Sequence, residues 1–284
     1  MSKVKKKIKL SNLLTYLLLA TLGVLWLLPI GYLIYTAFRV TPSTGIINTL
    51  VPANLQLGVD NFVKLFKETA FPRWLLNTLL VSVSSCVLTT LFILMVSYAL
   101  SRLRFRMRKP LINVLLVAGM FPGFMSMIAV YFILKAMGLT NSLVALVLVY
   151  SGSAALSYYI CKGFFDTVPR AMEEAAIIDG ANRFTVFQRF VLPLSKPIVV
   201  YTALTSFIAP WCDFIFVNTI ISDREKYTVA LGLYKMINAE KNSFNDNFTV
   251  FCAGALVVAA IIVTLFMSMQ RYYVEGVTNG SVKG

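Results

Sequence analysis

Apolar runs long enough to cross a bilayer, separated by short charged segments, constrain this chain more than any other feature. A helix rises about 1.5 Å per residue, so about 20 apolar residues cover a hydrocarbon core of roughly 30 Å. Such runs fall at about 12–38, 74–100, 111–134, 142–162, 197–220 and 247–270 of the 284 residues. In lipid every backbone N–H and C=O needs a partner within the chain, and a helix supplies them all. The pattern predicts an all-α polytopic membrane protein, a single transmembrane domain over 1–284 with six transmembrane helices. Composition agrees: 58% of residues are hydrophobic and 13% charged, against about 25% charged in a soluble domain.

The first run follows "MSKVKKKIKL". A signal peptide also starts basic, but its apolar region is only about 7–15 residues and ends at a small-residue cleavage site. The longer run here reads as an uncleaved first span. Six spans put both termini on one side, whose segments carry 17 Lys and Arg against 9 on the other. The excess of basic residues predicts that this side, with both termini, is cytoplasmic. "SRLRFRMRKP", residues 101–110, concentrates four arginines and a lysine. Fixing orientation accounts for such a turn, while binding of anionic lipid or a protein is the other use of that charge.

The net charge of +14 does not make a nucleic-acid groove, because the basic residues are scattered between apolar runs and not gathered on one face with interleaved aromatics. There is no histidine, which removes the commonest general base and metal ligand. Cys86, Cys161, Cys212 and Cys252 lie in or beside apolar runs without CxxC spacing, and read as small apolar residues. Trp74, Tyr98, Tyr158, Tyr159, Tyr272 and Tyr273 stand near span ends, where interfacial anchors belong. Gly119 and Gly123 have the GxxxG spacing of closely packed helices.

Asp213 is the acidic residue expected within a span. A mid-membrane carboxylate costs roughly 2.5–3.5 kcal/mol on the insertion scale. The Ile, Val, Leu and Phe residues of 198–220 return roughly 3–6 kcal/mol, so the span inserts and Asp213 must face protein or water. It reads either as a polar group on a substrate pathway, together with Asn218, or as a hydrogen-bonded contact between helices. Pro210, one turn earlier, is placed to kink that helix.

"MEEAAIIDGANRFTVFQRFVLPLSKP", residues 172–197, interrupts the apolar pattern. Pro169 can start a helix, because its missing N–H is one the first turn leaves unbonded. "RAMEEAAIID" follows with strong helix formers, and Gly180 is placed to end it in the left-handed conformation. Phe184, Phe187 and Val191 predict the apolar face of a second helix, which Pro193 and Pro197 should break. The result is a cytoplasmic helical hairpin over about 164–196. A helix resting on headgroups favours Lys and Arg on its polar face. Glu173, Glu174 and Asp179 suit docking on a basic protein surface instead.

Glu174-Ala175-Ala176, three residues, Gly180, nine residues, Phe190, one residue, Leu192-Pro193 resembles the EAA loop of binding-protein-dependent ABC importer permeases, with Phe190 where the family has isoleucine. The resemblance implies the type I ABC-importer permease fold and a coupling helix seated in a cleft of a separate ATPase subunit. On that reading Glu173, Glu174, Ala175, Ala176, Asp179, Gly180, Leu192 and Pro193 form the ATPase-coupling element. Glu174 supplies the acidic contact, Ala175 and Ala176 allow close approach, and Gly180 sets the bend. "NTLLVSVSSCVLTTLFILMVSYALSRLRF" and "YFILKAMGLTNSLVALVLVY" resemble carbohydrate-importer permeases, and the ending "RYYVEGVTNGSVKG" resembles the smaller permease of the maltose/maltodextrin type. In that type the tail reaches into the interface of the ATPase pair. Asn242, Ser243, Phe244 and Asn245 lie where it has an external loop that probes the sugar-binding protein.

The resemblance implies a bacterial plasma-membrane subunit that works with a second permease, two ATPase subunits and an extracellular sugar-binding protein. The sequence has no GxxxxGK[ST] phosphate loop. ATP and Mg are therefore expected at the partner ATPase, with no cofactor or metal bound by this chain and no enzymatic activity of its own. An ion-coupled secondary transporter would instead want inverted repeats and several intramembrane ionisable groups. An intramembrane enzyme would want a nucleophile–base constellation that the spans lack.

Overall fold

The structure, a computed structural model, describes residues 10–40, 56–238 and 243–281. Among the described residues all regular structure is helical apart from a single antiparallel bridge between Arg39 and Leu57. Among the described residues three helices are long and apolar enough to cross a membrane. They lie in α1 (Leu10–Phe38), α3 (Phe71–Arg102) and α14 (Ser243–Ser281). The count reaches six if each of three bent pairs is one span: Arg108–Met120 with Met125–Ala136, Leu143–Gly152 with Ala155–Thr167, and Arg183–Leu194 with Lys196–Cys212.

Three of the expected runs are interrupted. The expected run 111–134 is divided into α4 (Arg108–Met120) and α5 (Gly123–Ala136). Pro122 disfavours the helical conformation at Phe121, which takes φ −72°, ψ 131° and ends α4. The expected run 142–162 is α6 (Leu143–Gly152) and α7 (Ala155–Thr167), bent by 43°. The expected run 197–220 is α11 (Lys196–Cys212) and α12 (Ile215–Ile220), separated at Asp213. Pro210 stays inside α11, which ends two residues later.

The chain divides into two compact units: residues 1–69 with 236–257, and 70–235 with 258–284. In the first, α1 is joined to α2 (Asp60–Glu68) by Asn61, whose Nδ2 donates to the carbonyls of Ala37 (3.0 Å) and Arg39 (2.7 Å). Phe38 and Phe62 add a ring contact at 5.0 Å.

In the second unit α3 is the hub, packed against α6, α7 and α11. Its inner face carries Thr78, Ser82, Ser85, Thr89, Ser97 and Ser101, all buried. Small hydroxyl residues let helix backbones approach closely and bond across the gap, the usual glue between helices in lipid. Ser97 Oγ donates to Tyr158 O (2.9 Å), Cys86 Sγ lies 3.2 Å from Ala203 O, and Thr78 Oγ1 accepts from Val229 N (2.8 Å). The GxxxG expectation divides: a Cβ on Gly119 would stand 3.2 Å from Leu156, whereas Gly123 has open space around it.

Trp74 and Tyr98 are not the interfacial anchors expected from their positions. Trp74 is 2% exposed, its ring fills the space left by Gly232 of α13 (Val229–Asn238), and Nε1 donates to Arg224 O at 3.2 Å. Tyr98 is buried against Phe165 and Phe187. Tyr159 is exposed, and the Arg271 guanidinium stacks over the Tyr272 ring at 4.6 Å.

Candidate functional site

After α7 the chain turns at Val168 and Pro169, then forms α8 (Arg170–Ile178). Pro169, at φ −60° and ψ 126°, is the residue just before the helix. The far end is a Schellman closure: Ala181 N–H bonds Ala176 O (2.9 Å) and Gly180 N–H bonds Ile177 O (3.0 Å). Gly180 makes this possible with φ +90°, a conformation that disfavours any side chain. Asn182 then starts the return helix, its Oδ1 accepting from Thr185 N at 2.8 Å.

The return helix consists of α9 (Arg183–Val186), a π-helical turn at Phe187–Val191 and α10 (Leu192–Leu194). The Leu192 N–H reaches back five residues to Phe187 O. The next residue, Pro193, has no N–H to donate, so the widened turn carries the proline inside the helix without breaking it. The break falls instead at Ser195, where the chain bends by 85° into α11.

The hairpin is bolted to the spans. Ala176, Val186, Phe187 and Val191 form one buried cluster with Ile93, Leu94 and Tyr98 of α3, Cys161 and Phe165 of α7, and Ile198 of α11. The Tyr98 and Phe187 rings are 4.8 Å apart. A second tie is ionic: Arg102, the last residue of α3, places Nε 2.6 Å from Glu173 Oε1, with the two side chains 3% and 7% exposed. Arg102 Nη2 also donates to Val168 O at 2.8 Å. At the same end of the bundle Ser101 Oγ donates to Asp166 Oδ1 at 2.6 Å.

The two adjacent glutamates are placed differently. Glu173 turns inward to Arg102, whereas Glu174, Ala175 and Asp179 are exposed. Ala176 packs into the core, Leu192 is partly buried against it, and Pro193 is exposed. The second helix also buries a different face from the one its spacing implied, since Val186 is enclosed and Phe184 is 64% exposed. Together Met172, Ile177, Ile178 and Phe184 give the outer side of the hairpin an apolar surface beside Glu174, with Ile178 at 84% exposure. An apolar patch rimmed by charge is the mark of an interaction surface. Arg102 escaped the sequence reading because it lay in a segment whose charge already had a topological explanation.

Asp213 caps a break between helices. Its Oδ2 accepts from Tyr150 Oη at 2.9 Å and its Oδ1 from Phe216 N at 3.0 Å, which joins α6 to the start of α12. Asn218 is exposed, and no hydrogen bond joins its side chain to Asp213. Asn242 lies outside the described residues; Ser243, Phe244 and Asn245 open α14, whose backbone continues to Ser281.

Comparison with known proteins gives a consistent result. The family described as binding-protein-dependent transport system inner membrane component matches residues 9–278. The chain is 34% identical over 285 residues, 100% of this chain and 99% of the other, to the maltodextrin transport system permease protein MalD of Streptococcus pneumoniae. It is 32% identical over 287 residues, 99% and 98% of the two chains, to the galactooligosaccharides transport system permease protein GanQ of Bacillus subtilis. Among solved structures, a chain of a bacterial ABC transporter for import of the acidic polysaccharide alginate superimposes with a TM-score of 0.79 at 19% identity, covering 96% of this chain and all of the other.

Proposed function

The chain belongs to the family of binding-protein-dependent transport system inner membrane components, and on that premise we propose that α8 is the element through which an ATPase partner drives it to import an oligosaccharide. One observation carries the coupling role. The hairpin is fixed to α3, α7 and α11 by a buried cluster and a buried ion pair, yet turns a charged and apolar face outward. A displacement imposed on that face is passed to the spans, because a packed core moves as a body. Ile178, Phe184 and Glu174 make the contact, Gly180 holds the angle between the two helices, and Glu173 holds α8 to α3.

The hairpin side of the membrane is the cytoplasm, as the distribution of basic residues supports. A second permease, two ATPase subunits and an extracellular sugar-binding protein complete the importer, with ATP and Mg held by the ATPases. Maltodextrin is the first cargo to test and a galactooligosaccharide the second, following the relatives named above.

The experiment is sugar-stimulated ATP hydrolysis and uptake by the reconstituted complex carrying Glu174→Lys or Ile178→Asp. Loss of stimulation with the complex still assembled is expected. Full stimulation and uptake in both variants would sink the coupling assignment. Stimulation by galactooligosaccharide and not by maltodextrin would reassign the cargo.

A further inference from the structure

The end of α3 away from the hairpin carries a second fixed element. Roughly 40 Å of helix separates Trp74 from Arg102 at about 1.5 Å per residue, more than the roughly 30 Å of a hydrocarbon core, so the two ends of α3 lie on opposite sides of a membrane that it crosses. Beside Trp74 the chain between α12 and α13 makes a tight turn at Arg224–Lys226, and side chains from two other parts of the fold clamp its backbone. Trp74 Nε1 donates to Arg224 O (3.2 Å), and Asn77 Nδ2 donates to Glu225 O (2.8 Å) and Tyr227 O (3.0 Å). From the loop between α5 and α6, Asn141 Oδ1 accepts from Ser222 N (3.3 Å) and Asp223 N (3.1 Å), while its own N–H donates to Ile220 O (2.9 Å). Asn141 does so from a left-handed backbone, φ 57°, which Asn tolerates better than most residues. The charges of the turn then divide. Asp223 Oδ1 accepts from Glu225 N at 3.0 Å and Lys226 Nζ donates to Asn141 O at 3.1 Å, so both are used within the fold. Arg224 and Glu225 are exposed, and neither makes an ion pair with a described residue.

We infer that this turn is a preformed docking pad for the sugar-binding protein, with Arg224 and Glu225 as its contacts; the inference rests on the importer reading for the side of the membrane and the identity of the partner. A surface loop ordinarily loses conformational freedom when a partner binds, which weakens binding. A backbone already held by Trp74, Asn77 and Asn141 has lost that freedom on folding. Charge selects the class of partner. An exposed Arg and Glu side by side suit neither hydrocarbon nor the core of a permanent subunit contact, from which charged residues are depleted. They suit a protein that arrives from water and leaves again, because uncompensated charge steers encounter and fixes register. The partner's surface should present an acidic group to Arg224 and a basic one to Glu225. Asn77 and Arg102 both belong to α3, so the pad and the coupling hairpin are fastened to the two ends of one helix.

The test uses the assembled importer in nanodiscs, with its sugar-loaded binding protein as the probe and association followed by surface plasmon resonance. Arg224→Glu with Glu225→Arg reverses both exposed charges. Lys67→Glu with Glu68→Lys makes the same change at an exposed basic and acidic neighbour pair in α2. Affinity should fall about tenfold or more for the first pair, mostly through a slower on-rate that responds less to salt, and about twofold or less for the second. Unchanged affinity in the first pair would overturn the pad, and equal losses in both would mean diffuse charge and overturn it too. Asn141→Gly keeps the left-handed backbone and removes the clamp, so affinity should fall about threefold to tenfold although Arg224 and Glu225 remain. Asn141→Asp, which keeps the accepting oxygen, should restore most of that loss; full affinity in Asn141→Gly would remove the clamp from the argument and overturn a preformed pad. Loss of the second permease from complexes with the charges reversed would place the turn in a permanent subunit contact and overturn docking. Failure of the parent to bind the probe would overturn the importer reading, and the pad with it. Sugar-stimulated hydrolysis by Glu174→Lys in the same discs reports separately on the coupling reading, since that variant should bind the probe normally.

Discussion

Arg102 Nε stands 2.6 Å from Glu173 Oε1, and this one ion pair fastens the end of a membrane-crossing helix to the first turn of the short helix that follows α7. Buried ion pairs add little net stability relative to apolar packing. Losing one partner, however, leaves an uncompensated buried charge, at about 3–5 kcal/mol.

Glu173→Ala and Arg102→Ala should therefore each lower the thermal stability of the complex and release α8 from α3. ATP hydrolysis should then proceed without sugar uptake. The exchange Arg102→Glu with Glu173→Arg should recover part of both losses. A double-mutant cycle on melting temperature and on the ratio of uptake to hydrolysis checks this, and a coupling energy near zero would contradict it.

Gly180 has open space where a Cβ would stand, so its requirement is conformational alone. Gly180→Ala should cost roughly 1–2 kcal/mol through its left-handed backbone. Gly180→Asn should cost less, because Asn tolerates that region. Thermal melts of the purified complex give the order Gly, Asn, Ala. An alanine variant as stable as the parent would mean that the turn is not held at φ +90°.

Gly232 presents the opposite case, since a Cβ there would run into the Trp74 ring. Gly232→Ala should destabilise by about 1–3 kcal/mol through overpacking. Adding Trp74→Leu should relieve the clash, so that the double variant is more stable than the sum of the singles predicts. Detergent-resistance melts of the four proteins decide it.

Asp213→Asn keeps an oxygen for Phe216 N and places an amide opposite Tyr150, so folding and uptake should stay within about threefold of the parent. Asp213→Ala loses both bonds and the start of α12, costing about 0.5–2 kcal/mol for the missing cap alone. Yield of assembled complex and the KM for sugar separate the two readings of this residue. A large rise in KM for Asp213→Asn at normal yield would put the carboxylate on the substrate path.

Local chemistry was legible where it was complete within a few residues. The hairpin could be read at Pro169 and Gly180 because a helix start and a left-handed stop each depend on one backbone conformation. Pro193 was misread as a break, since the π turn that accommodates it depends on hydrogen bonds running from Phe187 to Leu192. Trp74 looked like an anchor because its span-end position is visible in the sequence, whereas its partner Gly232 belongs to a distant helix.

By itself the sequence determined that the chain is helical and membrane-embedded, and that one segment with the EAA pattern stands apart from its apolar runs. Hydropathy, prolines and glycines act along the chain, so they can be read along it. Only the tertiary structure decided which of two adjacent glutamates faces in. Consecutive residues on a helix are turned by about 100°, and Arg102, brought alongside α8 by the packing of α3, takes Glu173 and leaves Glu174 to the outside.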